Sequence, residues 1–196
     1  MKRVLSYSAI AAAVVAVSLV GTAWVVQRVS DGPIGPLAGG PLRAGALVSD
    51  PNVDWSFLGG GGELELQLVD PPRSRTTGSL VYEGRLYVPC DLGFLWRRIP
   101  SAGFRFFGAA INRVKRWHEE ALRDGRVVLR ISGKRYERQA VRVTDPELLA
   151  ALRAIVEERA RKYMSDRGAG RLLDAPGDPE AIWFFRMDPR PPVSAP

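Results

Sequence analysis

Apolar and polar residues alternate strictly from position 63 to position 68, which is the pattern of a β-strand with one buried and one solvated face. Two later segments each contain a tight-turn signal, Glu83-Gly84 in the first and Gly133-Lys134 in the second. Each of these segments is therefore predicted to form a β-hairpin. The core strands are predicted at about 63–69, 76–82, 85–90, 126–132, 135–143 and 181–187.

Apolar residues at helical spacing predict two helices in the same part of the chain. Leu148, Leu152 and Ile155 lie on one face of a helix predicted over about 146–163, with a proline at its first turn. A shorter helix is predicted over 113–123. Antiparallel strands with helices packed on them predict an α+β fold, in the form of a small antiparallel barrel.

An uncharged apolar run covers residues 9–26, with Lys2 and Arg3 before it and Arg28 after it. A membrane-spanning helix needs ~20 apolar residues, which this run nearly supplies. A secretory signal has the same basic start, a shorter apolar core and a small-residue cleavage site, for which residues 21–23 would serve. Both interpretations stay open. A membrane-spanning helix and a secretory signal both place the domain outside the cytoplasm, because the basic N-terminal end remains inside. A membrane-spanning helix also makes membrane lipid a partner.

The rest of the sequence divides by composition. Residues 92–111 are apolar, aromatic and basic at once, and they are interpreted as an insertion that either covers the core or contacts a membrane surface. The predicted organisation is an anchor or signal segment at 1–29, a Gly/Pro-rich linker and lead-in at 30–62, a barrel domain at 63–188 and a loose tail at 189–196.

The net charge of +7 suits an anionic ligand or anionic lipid. An outward-facing domain does not meet nucleic acid, so we expect no nucleic-acid partner. Cys90 is the only cysteine and His118 the only histidine, which excludes an internal disulfide and a His-rich metal site. His118 is interpreted as a solvated or capping side chain. No Walker or dinucleotide motif is present, and no catalytic residue is predicted.

Two guanidiniums and three hydroxyls lie within five consecutive positions after Pro72, where a strand is predicted to begin. An arginine binds phosphate with a planar fork of N–H donors, and serine and threonine hydroxyls add neutral donors. The cluster is either a phosphate cradle or a polar junction with solvated arginines. Its members are Arg73, Ser74, Arg75, Thr76 and Thr77.

The order of these elements resembles the split β-barrel flavin-binding proteins of the pyridoxamine-phosphate-oxidase-like superfamily, and most of all their deazaflavin-dependent nitroreductase branch. The segments that carry the resemblance are RSRTT, the following strands with their Glu-Gly turn, the helix with Trp117, and DGRVVLRISGKRYERQAVRVTDPELLAAL. They cover about residues 64–163. An R-T-T stretch contacts the cofactor phosphate in that family. The resemblance therefore implies phosphate contacts by Arg75, Thr76 and Thr77, with Arg73 and Ser74 beside them.

The resemblance implies a split β-barrel that binds FMN or a deazaflavin and acts as an oxidoreductase, with hydride transfer supplied by the cofactor. The apolar run at 9–26 adds a membrane anchor to this prediction. Trp117 and the aromatic strand at 183–185 are candidate neighbours of the flavin ring or members of the core. A homodimer is implied as well. The sequence departs from the family at Pro71-Pro72 and at the insertion. The alternative function is a non-enzymatic exported barrel without a cofactor, which binds a partner or the membrane surface.

Overall fold

The computed structural model of this chain describes residues 2–34, 38–93, 116–166 and 178–191, without the side chains of residues 2–12, 23 and 27. The insertion predicted at 92–111 lies outside the described residues from position 94 onward, and so does the tail beyond 191.

Eight strands in these parts of the chain form one sheet, and three helices accompany it. The strands are β1 Ala46–Val48, β2 Glu63–Leu68, β3 Arg73–Gly78, β4 Leu80–Tyr82, β5 Arg85–Asp91, β6 Arg126–Ile131, β7 Lys134–Arg142 and β8 Ile182–Pro189. The helices are α1 Lys2–Val29, α2 Trp117–Arg123 and α3 Pro146–Ser165. Short 3₁₀ turns occur at Trp55–Leu58 and Pro179–Ala181.

The strands lie in the order β3-β2-β6-β7-β8-β5-β4, and all neighbours on this path are antiparallel. β1 is parallel to the first residues of β7, and β8 pairs with the later ones. The two strands therefore follow each other along the same edge of β7, with Glu137 at the gap between them. The predicted α+β fold with an antiparallel sheet is confirmed, whereas closure into a split barrel stays a prediction.

Both hairpin turns use two residues in the left-handed region, as a two-residue loop with right-handed twist requires. The φ angles are 49° and 71° at Glu83 and Gly84, and 48° and 74° at Ser132 and Gly133. The first turn lies where it was predicted. The second lies one residue earlier than predicted, because Gly133 takes the second left-handed position rather than the first.

The strand predicted over 76–82 is wrong as a single element. Ser79 leaves the ladder, since its backbone N–H and its Oγ both donate to the carbonyl oxygen of Gly62, at 2.7 and 2.8 Å. This divides the segment into β3 and β4. β3 also begins at Arg73 and not at Thr76, because its pairing with β2 continues up to the Pro71-Pro72 turn.

The sheet buries apolar side chains on both faces. Alternation along β8 sends Phe185 and Met187 to one face and Ile182 and Phe184 to the other. The first face contributes to the principal core, which includes Leu64, Leu66, Leu68, Val88, Cys90, Trp117, Val127, Leu129, Phe185 and Met187. The second face is covered by α3 and includes Leu80, Tyr87, Val143, Leu152, Ile182 and Phe184. Phe184 therefore lies on the opposite face of the sheet from Phe185, as a core residue.

α1 is a single helix that contains the apolar run, and its described apolar side chains are largely exposed, with Val17 at 72%. Within the described residues, however, no helix combines the length and the apolar character that crossing a membrane requires. The predicted transmembrane segment is therefore not supported.

The stretch predicted as a linker makes specific contacts with the sheet, and we call its described residues, 30–34 and 38–45, the strap. Ser74 Oγ donates to the carbonyl oxygen of Gly40 at 2.6 Å, and the Leu42 N–H donates to Gln67 Oε1 at 2.7 Å. The Asp31 carboxylate accepts from the Arg43 N–H at 2.7 Å, which is the largest cause of its lowered pKa. The strap therefore follows the edge of β3 in a defined conformation.

Candidate functional site

The five residues of the predicted phosphate cradle lie on opposite faces of β3. Across the β2–β3 ladder, Arg75 faces Leu66 and Thr77 faces Leu64, both of which are buried in the principal core. Arg73, which faces Leu68, belongs to the same side. Ser74 and Thr76 have the other parity and lie on the opposite side. The structure therefore does not bring all five predicted residues together.

Ser74 and Thr76 have other surroundings. Ser74 is fully buried, and its hydroxyl and both backbone polar groups hold Gly39 and Gly40 of the strap. Thr76 is exposed and lines an open groove of about 390 Å³ on the outer face of the sheet. In that groove Arg130 is paired with Glu65 and with Asp31, so its charge is already neutralised.

Arg75 is the member of the cluster whose charged group is partly buried beside Trp117. Its guanidinium carbon lies 5.9 Å from the centre of the Trp117 ring, and its buried Nε has no hydrogen-bond partner among the described residues. Burial lowers the pKa of Arg75, and the Glu120 carboxylate acts in the opposite direction. The guanidinium keeps its charge, because arginine is not deprotonated in proteins. The result is a half-buried cation whose Nε donor has no acceptor in the part of the chain that the structure describes.

α2 presents Trp117 to Arg75. Trp117 and Ala121 are one helical turn apart and are both buried in the principal core, which fixes the orientation of the helix. The Trp117 ring is tilted against that of Phe185 with centroids 5.1 Å apart. Trp117 is only 2% exposed, so it acts mainly as a core residue that supports the guanidinium.

The next residue of the same helix, His118, belongs to a second group of aromatic and cationic side chains. His118 is buried and directs its ring against Trp183 of β8, with centroids 4.9 Å apart in an edge-on arrangement. The guanidinium carbon of Arg142 lies 3.7 Å from the centre of the Trp183 ring. The expectation of a solvated or capping His118 is therefore wrong. Sequence reasoning missed Arg142, since only the register of β7 against β8 brings it opposite Phe185 and near Trp183.

We call Arg75, Thr77, Trp117 and Glu120 the β3–α2 site. It offers a partly desolvated cation, a hydroxyl on the same strand face and an aromatic support, which suits an anionic group. Among the described residues, no group of three or more histidine, cysteine or carboxylate side chains is arranged to hold a metal ion.

Comparison with known proteins shows a likeness to a solved structure. No family model matches the chain, and no curated protein matches it. Among solved structures, the chain is similar to a Listeria innocua protein assigned as a pyridoxamine 5'-phosphate oxidase, with 15% sequence identity and a TM-score of 0.34. The alignment covers 67% of this chain and 85% of that one. The likeness is weak, and the deazaflavin-dependent branch stays a prediction.

Proposed function

We propose that this chain is a split-barrel domain that binds a phosphate-bearing flavin, FMN or a deazaflavin, at the β3–α2 site, and that it acts as an oxidoreductase. The observation that carries the proposal is the Arg75 guanidinium. It is half-buried beside Trp117, and its Nε has no hydrogen-bond partner among the described residues.

An arginine in these surroundings favours an anionic ligand. Moving a charge out of water costs free energy unless a counter-charge or hydrogen bonds replace the water, and the nearby Glu120 carboxylate does this only in part. A phosphate accepts two parallel N–H bonds from a guanidinium. Arg73 and Thr77 lie on the same face of β3 and would add a second cation and a hydroxyl. Ser74 and Thr76 have no part in this contact.

The flavin would supply the chemistry, which is nitroreductase-like hydride transfer. The residues of this chain would bind the phosphate, orient the ring and exclude water. Trp117 and Phe185 form an apolar floor beneath Arg75. The half-buried Trp183, covered by Arg142, adds a flat aromatic surface on the same side of the sheet.

The replacement Arg75→Ala tests this proposal in the full-length protein. We expect it to weaken flavin binding about 10- to 100-fold, because it removes a charge-assisted hydrogen bond worth ~1.5–3 kcal/mol. FMN and a deazaflavin are titrated separately, and binding is followed by calorimetry and by the absorption spectrum.

Two control variants make the flavin experiment specific to the geometry. Thr76→Ala should leave the affinity unchanged, because Thr76 lies on the opposite face of β3. Arg85→Ala removes the same charge from an exposed position on β5 and should also have little effect. If the wild-type protein binds neither flavin, the flavin proposal is rejected in favour of a non-enzymatic barrel that binds a partner or a membrane surface. Equal losses of flavin affinity in Arg75→Ala and Arg85→Ala would show that the flavin is held only by the net positive charge and not at the β3–α2 site.

We also propose that the domain lies outside the cytoplasm, either associated with the membrane through α1 or released by cleavage near residue 23, and that it forms a homodimer. The basic start and the exposed apolar side chains of α1 support the location. In cell fractionation, the chain is expected in the membrane or in the exported fraction. Uncleaved chain confined to the cytosol would contradict both forms of this proposal.

A further inference from the structure

A small recess lies at the edge of β7, between the last residue of β1, Val48, and the last residue of β8, Pro189. Its volume is about 140 Å³. Val48 and Pro51 close one side and Pro189 closes another, while Glu137, Arg138 and Arg190 supply the charges. We call it the edge pocket. It lies away from β3 and α2, and the proposed flavin site does not use it.

Arg138 is buried in the edge pocket with 3% exposure. Its Nη1 donates to the carbonyl oxygen of Glu137 and its Nη2 to that of Asp50, both at 3.0 Å. The Asp50 carboxylate accepts from the Asn52 N–H at 2.8 Å, and Arg138 contacts the backbone oxygen of Asp50. Both acceptors of Arg138 are therefore neutral. Burial lowers the pKa of Arg138, and the charges of Asp50 and Tyr136 act against that shift.

Aromatic rings hold the Arg138 side chain in place. Its guanidinium carbon lies 5.4 Å from the centre of the Trp55 ring and 6.0 Å from that of Tyr136. Such contacts stabilise a cation but form no hydrogen bonds with its N–H groups. The side chain is therefore fixed before any ligand binds, which reduces the entropy that a ligand would have to overcome.

Arg190 brings a second guanidinium to the edge pocket. Its Nη2 donates to the carbonyl oxygen of Val127 at 2.8 Å, and its Nη1 lies 3.3 Å from Glu137 Oε1. Its Nε is buried and has no hydrogen-bond partner among the described residues. The lining of the edge pocket therefore contains two guanidiniums and one carboxylate, and of the two guanidiniums only that of Arg190 is paired with the Glu137 carboxylate.

We propose that the edge pocket binds a small oxyanion of the phosphate class between Arg138 and Arg190. The recess has room for a group of about five heavy atoms, since a water occupies ~30 Å³ in the liquid. The oxyanion supplies a negative charge beside Arg138, whose two acceptors are neutral carbonyl oxygens, and accepts N–H bonds from the Nη atoms of the guanidiniums. Bound there, it connects β7 with the residue that follows β8.

Inorganic phosphate is the probe for the edge pocket, titrated into the full-length protein by calorimetry with chloride holding the ionic strength constant. We expect saturable binding by the wild type and a rise in its thermal midpoint with phosphate concentration. Arg190→Gln should weaken the binding at least about ten-fold, because a charge-assisted contact is lost. Arg190→Lys keeps the charge but loses the planar fork of N–H donors, so it should weaken the binding by a smaller factor.

Two variants separate this site from other sources of phosphate binding. Arg85→Gln removes the same charge from an exposed position and should keep the wild-type affinity. Arg75→Ala should keep this phosphate binding as well, whether or not it lowers flavin affinity. The proposal is overturned if the wild type shows no saturable binding, if both Arg190 variants bind as the wild type does, or if Arg85→Gln loses as much affinity as Arg190→Gln.

Discussion

Replacing Phe185 by alanine is expected to lower the free energy of unfolding by about 3–5 kcal/mol. Phe185 is completely buried in the central part of the sheet, and its ring packs against that of Trp117. Removing the ring loses apolar burial and leaves a cavity that two β-strands and α2 cannot easily fill. Urea denaturation of the full-length protein, followed by tryptophan fluorescence, measures the change.

Phe57 is the matched control for this substitution. It is 54% exposed, and its ring centroid lies 6.1 Å from that of Trp55 at the edge of the principal core. Phe57→Ala should therefore cost about 1 kcal/mol or less. Comparable losses in the two variants would mean that the principal core does not include Phe185 as described.

Replacing Gly39 by alanine is expected to destabilise the protein by about 1–3 kcal/mol and to release the strap from the sheet. A Cβ at Gly39 would overlap the carbonyl group of Gly32 and the Cα of Pro33, which are backbone atoms with little freedom to move. The paired hydrogen bonds between Gly39 and Ser74 would be lost at the same time. Limited trypsin digestion measures the release, because cleavage after the exposed Arg43 should become faster.

Gly78 provides the corresponding control for the strap. A Cβ added there meets nothing within 4 Å, so Gly78→Ala should not lower stability or speed cleavage after Arg43. If Gly39→Ala leaves both the stability and the digestion rate at their wild-type values, the strap is not held as the structure describes.

Local sequence patterns were sufficient for most of the sheet. Alternation predicted β2, β6 and β7 to within about a residue, and the turn signals predicted both hairpins, because these features depend on residues close together in the chain. The predicted end of the first strand, near residue 69, agrees with the end of β2 at Leu68. The pairing of β3 with β2 was not anticipated, so the first residues of β3 were missed.

The candidate site was predicted less well, for a physical reason. A cluster of consecutive polar residues suggests a single binding surface, but strand geometry sends Arg75 and Thr76 to opposite faces. Arg142 and Arg138 acquire their surroundings only through strand register and through residues distant in sequence. No local pattern in the sequence of β7 indicates these surroundings.

The position of β8 determines the order in which the domain can be completed. β8 is the last strand of the sheet along the chain, yet it lies between β7 and β5. During synthesis, β4 and β5 can form their hairpin early, but they cannot join β7 until residues 182–189 have left the ribosome. Such distant pairings slow folding, because a long loop must close before any contact is gained. The nascent chain therefore exposes one edge of β5 until β8 has been synthesised.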